Sequence, residues 1–331
     1  MLMVVRLCIH LFLLATFAVT APTLALAQNY PDKPVRVIVP FAAGGNADVL
    51  ARILSEELTR RLGQTFIVDN RPGGSNIIGT QFVARSNPDG YTLLIVSNSH
   101  TVNPTVFGEK LPYDTIKDFA GVAKIATTPM VLTAYPGFGV KNVQELIAKA
   151  KTEPGKINFS SSGNGSSAHM AGALLNQLAG IELVHIPYRG TSQGISDTIS
   201  GQVQLAFPSL SVARELIKTG ALQPLGITTA KRTAAAPDLA PLAETPSLKD
   251  FDASIWTAML APKDVPAPII NKLNSEISSA LHDPKVKLKL TQLGVDIDTG
   301  TPEELDQFIA SDIKQSQGLM KVSAVKQEMG R

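Results

Sequence analysis

Three short stretches hold the residues whose types and spacing could do chemistry. Residues 40–52 carry Gly44, Gly45, Asn46 and Asp48. Residues 160–167 carry a run of serines, Ser160, Ser161, Ser162, Ser166 and Ser167, interleaved with Gly163, Asn164 and Gly165. Residues 188–189 carry Tyr188 and Arg189. Neither glycine loop contains Lys or Arg, so the chemistry they suit is holding an anion by the main chain. Glycine lets a ligand approach the backbone without meeting a Cβ. The free N–H groups of a helix's first turn, together with its dipole, favour negative charge. Asn46 is expected to be the N-cap of the helix that follows. Asp48 is preferred as a stabiliser of that helix start; aimed into a cleft, it would repel a second carboxylate and favour an amino or hydroxyl group.

Other chemistry fits less well. Gly163-x-Gly165 lacks the third glycine of a dinucleotide fingerprint. Ser166 and His169 are close in sequence, but no Gly-x-Ser-x-Gly elbow is present and no Asp or Glu sits beside them to orient the histidine. The five histidines show no metal-ligand spacing, so neither a metal nor a cofactor is expected. His185 reads as a packed strand residue. Tyr188 ends a strand and is a candidate ligand wall. Arg189 is either a surface ion-pair partner or a ligand contact.

The elements that must position these residues alternate between strand and helix. Residues 35–39 are β-branched and apolar, and Leu50, Leu54, Leu58 and Leu62 then recur at helical spacing beside Ile53. This strand, glycine loop and helix recur at residues 157–178. Further strands are expected at 66–69, 91–96 (with Ser97 at its carboxyl end), 184–188 and 202–207, the last running into Pro208-Ser209. Alternation of this kind predicts mostly parallel sheets covered by helices, with ligand beyond the carboxyl ends of the strands. Residues 119–135 are read as strands leaving a first lobe and 222–228 as the strand that returns. Lobe one is therefore expected at 30–124 and 230–331, and lobe two at 125–229. Trp256, the only tryptophan, lies in a strand at 253–260. Three proline-opened helices close the chain.

Of the 331 residues, 44% are hydrophobic, enough for a two-lobed core. A net charge of +2 and only 5% aromatic residues argue against nucleic acid. Residues 1–27 read as a secretory signal, with Arg6 before an apolar core at 7–19 and cleavage after Ala27. Cys8, the only cysteine, precedes that core, so a lipid-attached form is not expected and the mature chain has no cysteine. The periplasm is the expected compartment.

Several stretches together resemble the solute receptors of tripartite tricarboxylate transporters, the Bug-type receptors. They are Tyr30-Pro31 with Pro34, residues 39–48, Asp69-Asn70-Arg71-Pro72-Gly73, residues 88–94, Leu111-Pro112-Tyr113-Asp114 with Asp118-Phe119, residues 161–166, Pro187-Tyr188 with Gly190, and Gly201-Gln202-Val203-Gln204. They span nearly all the chain after residue 27. The resemblance implies an α/β, periplasmic binding protein-like (type II) fold of two lobes with a ligand cleft between them. It implies capture of a small organic carboxylate and transient delivery to the membrane permease subunits of such a transporter. The family's ligand loops fall on Phe41, Ala43, Gly44, Gly45 and Asn46, and on residues 161–167. Three positions depart from its pattern: Arg189 replaces the usual Lys, Pro208-Ser209 replaces Asp-Asn, and the glycine-rich turn before Trp256 is missing. Pro208 sits where it could touch ligand. The chain is expected to act as a monomer. Two other readings stay open: an exported hydrolase on the same fold, and a ligand-dependent partner of a sensor kinase.

Overall fold

The computed structural model describes residues 30–188, 190–233 and 235–322. The expected signal segment, Cys8 and Arg189 lie outside the described residues.

The chain opens with β1 (Val35–Val39), whose residues are all buried except Arg36. Helix α1 (Asn46–Leu62) follows, burying Leu50, Leu54 and Leu58 along one face. It stops at Gly63, which takes φ 70°, with Arg60 and Arg61 in the last turn. Then come β2 (Phe66–Asn70), α2 (Ile77–Ala84), β3 (Thr92–Ser97) and α3 (Ser99–Phe107). Strand β4 (Phe119–Pro129) leads into β5 (Val131–Ala134). The next elements are α4 (Val143–Thr152), β6 (Ile157–Ser161), α5 (Ser167–Ala179), β7 (Leu183–Pro187) and α6 (Thr191–Ile199). After them lie β8 (Leu205–Ala206), α7 (Leu210–Lys218) and β9 (Gln223–Ile227). The chain ends with β10 (Ser254–Pro262), α8 (Ala267–His282), α9 (Pro284–Gln292), β11 (Asp296–Ile297) and α10 (Pro302–Val322). Among the described residues no helix is long and apolar enough to cross a membrane.

Two sheets result, each with its own core. The first has the order β11-β4-β10-β3-β1-β2 and the second β7-β6-β8-β5-β9. Strands β2, β1 and β3 are parallel, whereas β10 enters antiparallel between β3 and β4. In the second sheet β7, β6 and β8 are parallel and β5 is antiparallel to its neighbours. The expectation of mostly parallel sheets thus holds for the strands that carry the glycine loops.

The chain's path between the lobes differs from the sequence expectation. Strand β4 stays paired with β10 as far as Pro129, opposite Ser254, so the first crossing is at Met130. Residues 222–228 do not return the chain, because β9 closes the second sheet against β5. The connector after it remains with the second core, where Leu242, Leu248 and Phe251 are buried. The second crossing falls near Ala253. The two crossings lie side by side: Thr228 N–H donates to Met130 O (2.9 Å) and Ala253 N–H to Thr228 O (2.9 Å).

The second glycine loop is seated by close packing of α5 on β6. A Cβ added at Gly172 would lie 2.3 Å from the ring of Phe159, which is only 1% exposed. Overpacking of this kind costs about 1–3 kcal/mol. Gly172→Ala is expected to lower stability by that amount in urea denaturation. A variant as stable as the parent would show that Phe159 has room to move.

Candidate functional site

Between the lobes lies a cavity of about 280 Å³. Four helices begin at it. The loop before α1 contributes Gly44, Gly45 and Asn46, and the end of β6 with the start of α5 contributes Ser160, Ser161, Ser162, Ser167 and Ala168. Helix α6 contributes Thr191, Ser192 and Ile195. Residues 206–209 lead from β8 into α7, which adds Ser211 and Val212. Val49, Leu50, Met130, Ile255, Leu293 and Val295 complete an apolar wall. Among the described residues that line the cavity, none is charged. No group of three or more His, Cys, Asp or Glu is placed to hold a metal ion among the described residues.

The first loop is held from behind by Asp48. Its carboxylate accepts from Gly44 N–H (2.8 Å), Arg52 Nε (3.0 Å) and Asn70 Nδ2 (2.8 Å). Asp48 is 2% exposed. Burial alone would raise its pKa, but hydrogen bonds from Arg52, Gly44 and Asn70, with the Arg52 charge, hold it below the ordinary carboxylate value. Asp48 therefore braces the loop and is not on the cavity wall. Gly44 has φ 80°, a conformation other residues rarely adopt. Asn46 is not the N-cap. Gly45 takes that position, and the Asn46 amide donates instead to Thr128 Oγ1 of β4 (3.2 Å). Asp48 already accepts a loop N–H, which frees Asn46 to tie the helix start to the sheet. Phe41 is half-buried and its carbonyl accepts from Asn70 Nδ2 (3.2 Å), while Ala43 is exposed beside the loop.

The second loop is propped by two stacked histidines. His169 and His185 lie with ring centroids 3.9 Å apart, nearly parallel. Gly165 N–H donates to His169 Nδ1 (3.0 Å). Ser161 Oγ lies 2.5 Å from His185 Nε2 and accepts from Gly163 N–H (3.0 Å). Ser166 caps α5, accepting from His169 N–H. Burial lowers the His169 pKa to about 4, and burial with the neighbouring His169 ring lowers His185 to about 3. Both rings are thus neutral props at ordinary pH.

The structure brings Gly44, Gly45, Asn46, Ser161, Ser162, Ser167 and Pro208 to the cavity wall. Gly163, Asn164, Gly165 and Ser166 form the loop behind it. Ser97 is buried and donates to Asn98 Oδ1, away from the cavity lining. Tyr188 is not on the wall either; its hydroxyl donates to Asp197 Oδ2 (2.7 Å). Reasoning from sequence missed the starts of α6 and α7, with Thr191, Ser192, Ser209 and Ser211. The signal was present, since each follows a strand and a Gly- or Pro-containing turn. It also missed the apolar wall, whose residues read as ordinary core.

Two α/β lobes, each aiming glycine- or serine-bearing helix starts into one cleft, define a periplasmic binding protein-type solute receptor. Residues 50–325 match the family described as the tripartite tricarboxylate transporter family receptor, and the chain belongs to that family. A Pseudomonas sp. (strain P51) protein from the tcbD-tcbE intergenic region is 36% identical over 88% of this chain and 86% of its own. BugT of Bordetella pertussis is 33% identical over 95% of each. Among solved structures, a protein of R. palustris with adipate superposes with a TM-score of 0.82 at 29% identity, covering 88% of this chain and 98% of that one. MatC of Rhodopseudomonas palustris with bound malate gives 0.78 at 29% identity, covering 88% and 99%.

The histidine props make stability depend on pH. An unfolded histidine titrates near 6.5, whereas His169, His185 and the buried His100 titrate at about 4 or below in the folded chain. Between these values the unfolded chain binds more protons, so stability is fully present above about pH 6.5 and falls as pH drops toward about 4. The urea midpoint is expected to decrease steadily from pH 7 to 4.5, with a shallower decrease in His169→Gln/His185→Gln. A flat profile would show that the rings are not held neutral.

Proposed function

We propose that this protein is a periplasmic receptor that captures a small organic carboxylate between its lobes and delivers it to the permease of a tripartite tricarboxylate-type transporter. One observation carries the reading: four helix N-termini converge on one interlobe cavity whose described lining has no charged side chain. Unpaired N–H groups and dipole ends at that point are complementary to a carboxylate, and serine and threonine hydroxyls add further donors. Relatives solved with adipate and with malate support the ligand class, and family membership supports the transporter as partner. Export through residues 1–27, with cleavage after Ala27, places the receptor where that partner can be reached. Binding is one-to-one without turnover. Residues 30–129 and 254–322 form one lobe and residues 131–252 the other, and they close by hinge motion at the paired crossings.

Magnitudes allow such a site to work without a salt bridge. Each helix terminus contributes about 0.3–1 kcal/mol, and up to about 2 when partly buried. Hydrogen bonds to a charged group contribute about 1.5–3 kcal/mol each before binding costs. Micromolar affinity needs about 8 kcal/mol.

Native mass spectrometry of co-purified small molecules identifies the ligand, and calorimetry then tests how it is held. Its dissociation constant is expected to change about threefold or less between dilute and physiological salt, because a closed cleft is weakly screened. Arg189→Ala is expected to leave binding largely intact. A loss above about 3 kcal/mol, the scale of a broken buried ion pair, with the variant still folded, would make Arg189 the anchor and overturn the helix-terminus account.

A further inference from the structure

The cavity has two kinds of wall, and they alternate along the same helices. Val49 and Leu50 follow Asn46 by three and four residues, Ile195 follows Thr191 by four, and Val212 follows Ser209 by three; all of them line the cavity. Residues at these separations stand one above the other on a helix face. Three helices thus present a polar first turn and then an apolar second turn to the same space. Leu293 and Val295 extend the apolar surface from lobe one. The first turns, with their free N–H groups, suit one carboxylate. The second turns offer a negative charge no donor and no cation among the described lining residues. A second carboxylate placed there would lose water against the apolar wall and gain no partner among the described lining residues, which is disfavoured. A hydrocarbon body placed there would instead leave water for an apolar wall. At about 280 Å³ the space is just below the common range for small-molecule pockets of about 300–1,000 Å³.

We propose that the ligand is a monocarboxylate with a compact apolar body, an alkyl chain or an aromatic ring, and that Val49, Ile195, Val212 and Leu293 select against a second charge. This inference rests on the carboxylate-receptor reading above.

Matched acids that differ by one carboxylate provide the test: hexanoate against adipate, and benzoate against terephthalate, by calorimetry on the ligand-stripped protein. The monoacid is expected to bind at least tenfold tighter than the diacid in each pair that binds. Val212 is 42% exposed, so Val212→Lys should fold, and it is expected to shift the preference at least tenfold toward the diacid. Leu293→Lys, on the opposite lobe, is the second variant should that one unfold. Equal or tighter binding of the diacid by the unaltered protein would overturn the inference and leave the carboxylate reading standing. Failure of all four acids to bind would overturn the carboxylate reading and this inference with it.

Discussion

A helix leaves its first backbone N–H groups without acceptors inside the helix, and this protein brings four such sets of donors to one place. The rest of the structure can be understood as support for that arrangement. Parallel strands β1, β6 and β8 end at the cavity, so the helices after them start there. Glycine at position 44 permits the turn, and buried Asp48 takes up the Gly44 N–H while Arg52 and Asn70 neutralise and orient it. Across the cleft a pair of neutral histidine rings does the corresponding work, accepting from Gly165 N–H and contacting the Ser161 hydroxyl. Each loop is thus stiffened from the side away from the cavity.

The local units of this design were legible in the sequence. A β-branched run, two glycines and a leucine periodicity are enough to place β1, the loop and α1, since all three signals lie within one short stretch. The same holds for β6 and α5. What could not be read depends on residues brought together only by the fold. Nothing near His169 announces that its ring stacks on His185 of another element. The antiparallel entry of β10 between β3 and β4 is a long-range pairing with no local signature. Val49, Ile195 and Val212 carry the amphipathic pattern of helices packed on a sheet, so a cavity wall and a core face look alike. Asn46 shows a further limit: capping preference favoured it, but Asp48 already accepted a loop N–H and Asn46 bonded to Thr128 instead.

The two halves of the site are also coupled through the lobes. The second loop leans on lobe one: a Cβ added at Gly165 would fall 2.9 Å from Val102 of α3. Val102 packs with Met170 and Ala173 of α5 in a small apolar cluster that Leu319 of α10 also touches. The chain crosses between lobes at hydrogen-bonded neighbours, Met130, Thr228 and Ala253. Any rotation about those crossings would move the second loop against α3 and α10, which would tie the shape of the cavity to the angle between the lobes.

A neutral site has a consequence for release as well as capture. A receptor built on a buried lysine or arginine must leave that charge desolvated and unpaired when the ligand departs, and an unpaired buried charge is costly. The described groups that line this cavity carry only partial charges. Hydroxyls and backbone N–H groups can take water in place of the carboxylate, so no charge is left unpaired when the ligand departs. Main-chain donors are already fixed by the fold, so they lose little conformational entropy on binding. The same construction that makes each contact modest keeps the empty state stable, and an empty state that is stable is what a carrier needs between one ligand and the next.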